Sequence, residues 1–205
     1  MDIIMRDIIE ENMGELVSLL QRIMKTDYVD KVIESAECLL CAMQTDHKIL
    51  IAGNGGSAAD AQHMAAELVV RFEKEREGYP AVALTTDTSI LSAGGNDYGF
   101  DAVYERQIQA LGRKGDVFIA ISTSGNSENI VRAARMAVNR KLKVIGMTGQ
   151  DGGRLKPFCD IMLCVPWGRS TYSRDPRAYD THVMPDDRTE HVMVYVSSEK
   201  SSNRH

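Results

Sequence analysis

The sequence predicts an α/β fold, a doubly wound sheet of about five parallel strands preceded by two helices. Three observations carry this expectation. Five short apolar runs follow one another between Lys48 and Val165, each too short for a helix. Helical patterns lie between several of them, the alternation of a parallel sheet covered on both faces. Before the first run the chain is helical in pattern and carries no strand signal.

Taken in order, Ile8, Ile9, Met13, Leu16, Val17 and Leu20 recur at helical spacing and predict the first helix. Val29, Val32, Ile33, Ala36, Leu39, Leu40 and Met43 predict the second, with Thr26-Asp27 supplying its N-cap. Together they form an arm over about residues 1–45, and two helices ahead of any strand suit packing in an oligomer. The strands follow as KILIAG (48–53), AVAL (81–84), DVFIAIS (116–122), KVIGMT (143–148) and DIMLCV (160–165). All five read as fully buried parallel strands. Helices are expected at 57–72, 98–111 and 127–140. In such sheets ligands bind where the loops leave the carboxyl ends of the strands.

Composition narrows the function classes. The 205 residues suit one domain, with 43% hydrophobic and 26% charged residues. A net charge of -5 gives no basic surface for nucleic acid. No run reaches the ~18 apolar residues of a spanning helix, and the acidic residues in the first twenty argue against a secretory signal. Cys38, Cys41, Cys159 and Cys164 read as reduced, mostly buried thiols, which fits a cytoplasmic protein.

Two loops could carry chemistry. Gly53-Asn54-Gly55-Gly56-Ser57 follows the first strand, and Ser122-Thr123-Ser124-Gly125-Asn126-Ser127 follows the third. Each leads into a helix whose N-terminal N–H groups and dipole favour an anion such as phosphate. Read singly, either is an ordinary βα turn with a Ser or Asn cap; two in one sheet favour a ligand. Neither has the G-x-G-x-x-G spacing or a Walker lysine, so a sugar monophosphate suits them better than a nucleotide. His63 and Glu67 lie at i, i+4 on one helix face, near enough to share a metal or a substrate; apart from the loop they would read as a solvated pair. Gly95-Asn96-Asp97-Tyr98-Gly99 adds an amide and a carboxylate in a Gly-flanked loop.

These residues together resemble the phosphoheptose isomerases, a branch of the sugar isomerase (SIS) fold. The resemblance rests on AGNGGSAADAQHMAAELVVRF (52–72), GYPAVALTTDTSILSAGGNDYGF (78–100), GDVFIAISTSGNSENIVRAA (115–134) and TGQDGG (148–153), and runs to about Pro166. It implies conversion of sedoheptulose 7-phosphate to D-glycero-D-manno-heptose 7-phosphate through an ene-diol, for bacterial lipopolysaccharide or capsule heptose. It also implies a homotetramer and one zinc per subunit. By the same resemblance Ser122, Thr123, Ser124 and Ser127 hold the phosphate. Asn54, Gly55, Gly56, Ser57, Asn96 and Asp97 contact the sugar. His63 and Glu67 are metal ligands, and Glu67 also meets the substrate as the catalytic base. A related SIS protein binds the bacterial replication initiator DnaA without catalysis; the His63–Glu67 pair favours the enzyme.

Residues 1–166 thus form the SIS domain with its helical arm. Residues 167–205 depart from it: they have no helical apolar stripe and many Ser, Arg, Asp and His, and read as a disordered tail. The family continues here with a helix bearing Ile-Gln-Glu, whose Gln binds metal, and a histidine eight residues after it that serves as acid/base. Codons allowed for Ser170 to Glu190, shifted by one base, can spell Pro-Arg-Ile-Gln-Glu-Ile-His-Val-Leu-Met-Thr-His-Met-Leu-Cys-Arg-Met-Ile-Glu-Gln-Asn. That string has both the Gln and the spaced histidine, so the tail reads as a frameshift product better than as a metal-binding tail using His182 and His191. The chain as written is expected to have little isomerase activity.

Overall fold

A computed structural model of the chain describes residues 2–166. The expectations for residues 167–205, as a disordered tail or an out-of-frame product, lie outside the described residues, as does the boundary drawn after Pro166.

Helix α1 (Asp2–Ile23) and helix α2 (Tyr28–Gln44) open the chain. Of the apolar stripe expected on α1, Leu16 is half-buried and Ile8, Ile9, Met13, Val17 and Leu20 are exposed, while the buried residue is Leu19, outside that stripe. Helix α2 buries Val32, Ala36, Leu39 and Leu40. Its start departs from the expected cap. Asp27 stands at the N-cap without a side-chain cap bond and pairs with Lys31 at 2.9 Å. The Thr26 hydroxyl accepts the Tyr28 N–H instead.

Strands β1 (Ile49–Ala52), β2 (Ala81–Ala83), β3 (Val117–Ser122), β4 (Lys143–Gly149) and β5 (Ile161–Val165) form one parallel sheet in the order β2-β1-β3-β4-β5. Helix α3 (Gly56–Val69) follows β1, α4 (Thr88–Tyr98) and α5 (Val103–Leu111) follow β2, and α6 (Glu128–Asn139) follows β3. A 3-10 turn at Gly153–Phe158 precedes β5. Alternate strand residues face opposite layers. Ile49, Ile51, Val117, Ile119 and Ile145 pack with α2 and α3. Leu50, Ala52, Phe118, Ala120 and Val144 pack with α5 and α6. Strands β1 and β3 are buried throughout, and β4 is nearly so. The edges correct the expectation of five fully buried strands: Val82 in β2 is exposed, and Met162, Cys164 and Val165 in β5 are half-buried. An edge strand has a sheet neighbour on one side only.

Two helix expectations also change. Helix α3 stops at Val69 because the Arg76 guanidinium donates to the Glu67 and Leu68 carbonyls, at 2.6 and 2.8 Å, while the Tyr79 N–H takes Leu68 O as well. The helix expected over 98–111 is broken at Gly99, whose φ of 81° is left-handed. A 3-10 turn (Phe100–Ala102) then leads into α5. Before the break lies α4, capped by Asp87 accepting the Ile90 N–H at 2.9 Å. Its last turn contains Asn96 and Asp97, which the sequence placed in a loop.

At the amino end of the sheet Asp116 is 2% exposed. It accepts the Lys48 N–H at 3.1 Å, the Arg113 N–H at 2.8 Å and the Lys48 ammonium. Burial pushes its pKa up, but Lys48 and the two N–H groups outweigh that and hold it below the usual carboxylate value. All four cysteines are free thiols, with Cys41 exposed and the others half-buried, so they lie nearer the surface than expected. Burial pushes the Cys159 thiol up to about 12. Among the described residues no helix is long and apolar enough to cross a membrane.

Candidate functional site

Strands β1 and β3 are neighbours, so their following loops emerge side by side at the carboxyl edge of the sheet. After β1 the chain turns sharply. A Cβ on Gly53 would lie 2.3 Å from the Ser57 carbonyl oxygen, so only glycine fits there. Gly55 has a φ of 57° and occupies the N-cap of α3, its carbonyl accepting from Ala58 and Ala59. The buried Tyr104 hydroxyl donates to the Gly53 carbonyl at 2.8 Å, holding the loop from the α5 side. Burial raises the Tyr104 pKa, which keeps this hydroxyl a donor.

The second loop is held differently. Ser122 is buried and its hydroxyl donates to Ser127 Oγ at 3.1 Å. Ser127 stands at the N-cap of α6, with its hydroxyl engaged by Ser122 rather than by the helix. Asn126 folds back, donating to Ser124 O at 2.8 Å and accepting the Arg154 N–H at 3.1 Å. Gly125 has a φ of 65°, and a Cβ there would lie 2.1 Å from the Gly152 carbonyl oxygen. Gly149 N–H donates to Thr123 O and Leu155 N–H donates to Gly125 O, each at 2.9 Å. The TGQDGG segment is therefore the backing of the hydroxyl loop. Arg154 also pairs with Glu128 in the first turn of α6, at 2.8 Å.

The two loops are joined. Asn54 Nδ2 donates to Asn129 Oδ1, and Asn129 Nδ2 donates to Asn54 Oδ1, both at 2.9 Å. The N-termini of α3 and α6, with Ser57, Ser122, Thr123, Ser124 and Ser127 around them, thus occupy one edge of the sheet. Such an arrangement offers N–H and hydroxyl donors to an anion with two or more acceptor oxygens.

On α3, His63 and Glu67 meet across one helical turn, with Nε2 3.1 Å from Oε1. Their side chains are 45% and 23% exposed, so the pair faces outward from the sheet. An imidazole and a carboxylate suit a zinc ion, but they supply two donors where such sites usually have at least three. Among the described residues no group of three His, Cys, Asp or Glu is close enough to hold a metal. Asn96 and Asp97 lie exposed at the end of α4, where Asn96 donates to Asp97 at 2.8 Å. Helix α4 packs against α5 and the 3-10 turn.

Sequence reasoning missed Asn129, Tyr104 and the backing role of Gly152. Asn129 left one signal: it is a polar residue on a helix whose other inward positions are Ile130, Val131, Ala133, Ala134 and Ala137. Gln107 is a comparable case, a buried amide donating to Leu84 O at 2.9 Å.

Comparison with known proteins identifies the family. The SIS domain family matches residues 13–149. A phosphoheptose isomerase of Nitratidesulfovibrio vulgaris is 50% identical over 155 residues, covering 76% of this chain and 74% of that protein. One from Nitratiruptor is 54% identical over 143 residues, covering 70% and 74%. The solved structure of the phosphoheptose isomerase from Neisseria gonorrhoeae superposes with a TM-score of 0.81 and 37% identity, covering 98% of this chain and all of that one. A domain match over most of the chain, relatives at half identity and a shared five-stranded parallel sheet place this chain in the phosphoheptose isomerase branch of the SIS domain family.

Proposed function

We propose that this chain carries the body of an isomerase that interconverts sedoheptulose 7-phosphate and D-glycero-D-manno-heptose 7-phosphate for bacterial surface heptose. The observation that carries it is the pair of bridged loops at the N-termini of α3 and α6, backed by similarity to proteins named phosphoheptose isomerase. Ser122, Thr123, Ser124 and Ser127 hold the phosphate. Asn54, Gly55, Gly56 and Ser57 orient the sugar carbons, with Asn96 and Asp97 as further sugar contacts. Glu67 takes the proton from C1 of the ketose and returns it to C2, while the O1 proton passes to O2.

His63 and Glu67 form part of a zinc site. A bound zinc would polarise the carbonyl and stabilise the oxyanion of the ene-diol. The remaining ligands and the acid/base histidine belong to the helix that the one-base-shifted reading of residues 170–190 restores. The chain works in the cytoplasm, where its four thiols stay reduced, and as a homotetramer, for which the exposed stripe of α1 offers a surface.

The test compares two proteins with added zinc: the chain as written, and a companion carrying the shifted-frame sequence from Ser170. The companion converts sedoheptulose 7-phosphate, and the chain as written binds it with little turnover. Equal turnover by both would show that residues 167–205 are not deficient. No turnover by either would remove the isomerase reading.

A further inference from the structure

Asn129 is 2% exposed and lies at the second residue of α6. Its Oδ1 accepts the Ile130 N–H at 3.0 Å, an N–H shared with the Ser127 carbonyl at 3.1 Å. A backbone N–H can only donate, so the side-chain atom facing it is the oxygen, and the orientation of the amide is fixed. Asn54 is fixed in turn, because its Nδ2 faces that same oxygen and its Oδ1 faces Asn129 Nδ2. The pairing uses one N–H and one lone pair of Asn54. Among the described residues one of each has no partner, at a half-buried position in the loop after β1.

We infer that Asn129 is a positioning residue for sugar recognition, acting through the Asn54 amide to set the loop after β1 against the hydroxyl loop after β3. This rests on the sugar-phosphate reading above. Each loop also has an anchor of its own: Tyr104 holds Gly53 O, and the Gly149 and Leu155 N–H groups hold the hydroxyl loop. Those anchors keep each loop in shape. The Asn54–Asn129 pair instead fixes the span between them. A ligand gripped at both ends, phosphate in one loop and sugar in the other, depends on that span. A ligand gripped at one end does not.

The test uses full-length Asn129→Ala, Asn54→Ala and the double variant. Calorimetry measures sedoheptulose 7-phosphate and inorganic phosphate binding, and hydrogen exchange is followed without ligand. Asn129→Ala weakens the sugar phosphate about tenfold and inorganic phosphate less than about twofold. It adds nothing further in the Asn54→Ala background. Exchange at residues 53–58 accelerates, while that of β4 is unchanged. Asn129→Asp keeps the acceptor for Ile130 and removes the donor to Asn54. It serves where the alanine variant fails to fold; because it still accepts from Asn54 Nδ2, a smaller loss of the same selectivity is expected. Unchanged exchange at 53–58, equal loss for both ligands, or additive losses would overturn the inference. If the unaltered chain binds phosphate but not the sugar phosphate, the substrate reading falls, and the exchange data still decide whether the bridge positions the loop.

Discussion

At the amino end of β3 one buried carboxylate, Asp116, collects two backbone N–H groups and an ammonium from Lys48 and Arg113. At the carboxyl end of the same strand Ser122 opens a loop of hydroxyls and N–H groups beside the N-terminus of α6. Both ends are polar, but the amino end buries its anion among these donors, whereas the carboxylate in the first turn of α6, Glu128, is engaged by Arg154. Removing a buried charge from among internal donors destabilises the fold, because the donors are left buried and unpaired. Donors gathered at helix N-termini and not spent on a buried carboxylate suit a ligand. Removing the carboxylate at the first end should therefore move unfolding alone, whereas substitutions at the second should move binding or turnover, with a stability cost as well where the loop backbone itself is disturbed.

The largest separation is expected for Glu67→Gln in the companion protein with the shifted-frame C-terminus. Turnover falls by about 10³ through loss of the base, while the urea midpoint stays within experimental error. A comparable loss of stability would place Glu67 with the structural residues. Gly125→Ala tests the carboxyl end as a built surface. The left-handed φ and the close approach to Gly152 cost about 2–4 kcal/mol together. Sugar-phosphate affinity drops as well, and a variant that binds normally would show that the hydroxyl loop can relax.

Asp116→Asn is the counterpart at the amino end. It destabilises by about 2 kcal/mol with no change in ligand affinity. Because the folded-state pKa of Asp116 is lowered, its contribution is present above the ordinary value of 3.8 and is lost as pH falls through the folded value. Urea titrations between neutral pH and pH 3 should show the unaltered chain losing stability below that value and the variant losing less. Parallel curves would mean that the carboxylate contributes nothing. The smallest effect belongs to Tyr104→Phe, which leaves the Gly53 carbonyl without its donor. About 1 kcal/mol of stability is lost, and sugar-phosphate affinity falls more than phosphate affinity.

The strands and both loops were legible because their signals are local. A buried parallel strand is a continuous apolar run, and a ligand loop between strand and helix is rich in glycine and hydroxyls. Helix α4 was not legible because Asn96-Asp97 between glycines mimics a turn, while the actual stop, Gly99, lies two residues further on. Asn129 and Asp116 were harder to read for another reason. The partners that tie them across the fold, Asn54 and Lys48, lie 75 and 68 positions away, so the neighbouring sequence does not name them. For His63 and Glu67 the spacing alone predicted the contact that the structure contains.

The Asp116 contact with the Lys48 backbone also bears on how the sheet avoids misalignment. A half-exposed strand is kept in place by its alternating pattern, because a slip of one residue turns its apolar side chains to water. Strands β1 and β3 are apolar on both faces, so such a slip would exchange one buried residue for another. Phe118 beside Leu50 and Ile119 beside Ile51 would stay buried after such a shift, at the cost of repacking both layers but without exposure to water. The carboxylate at the entry of β3 supplies what the pattern lacks, because only one alignment brings it to the Lys48 N–H. Removing it should widen the set of strand pairings the chain can sample as it folds, an error that no count of buried apolar area would reveal.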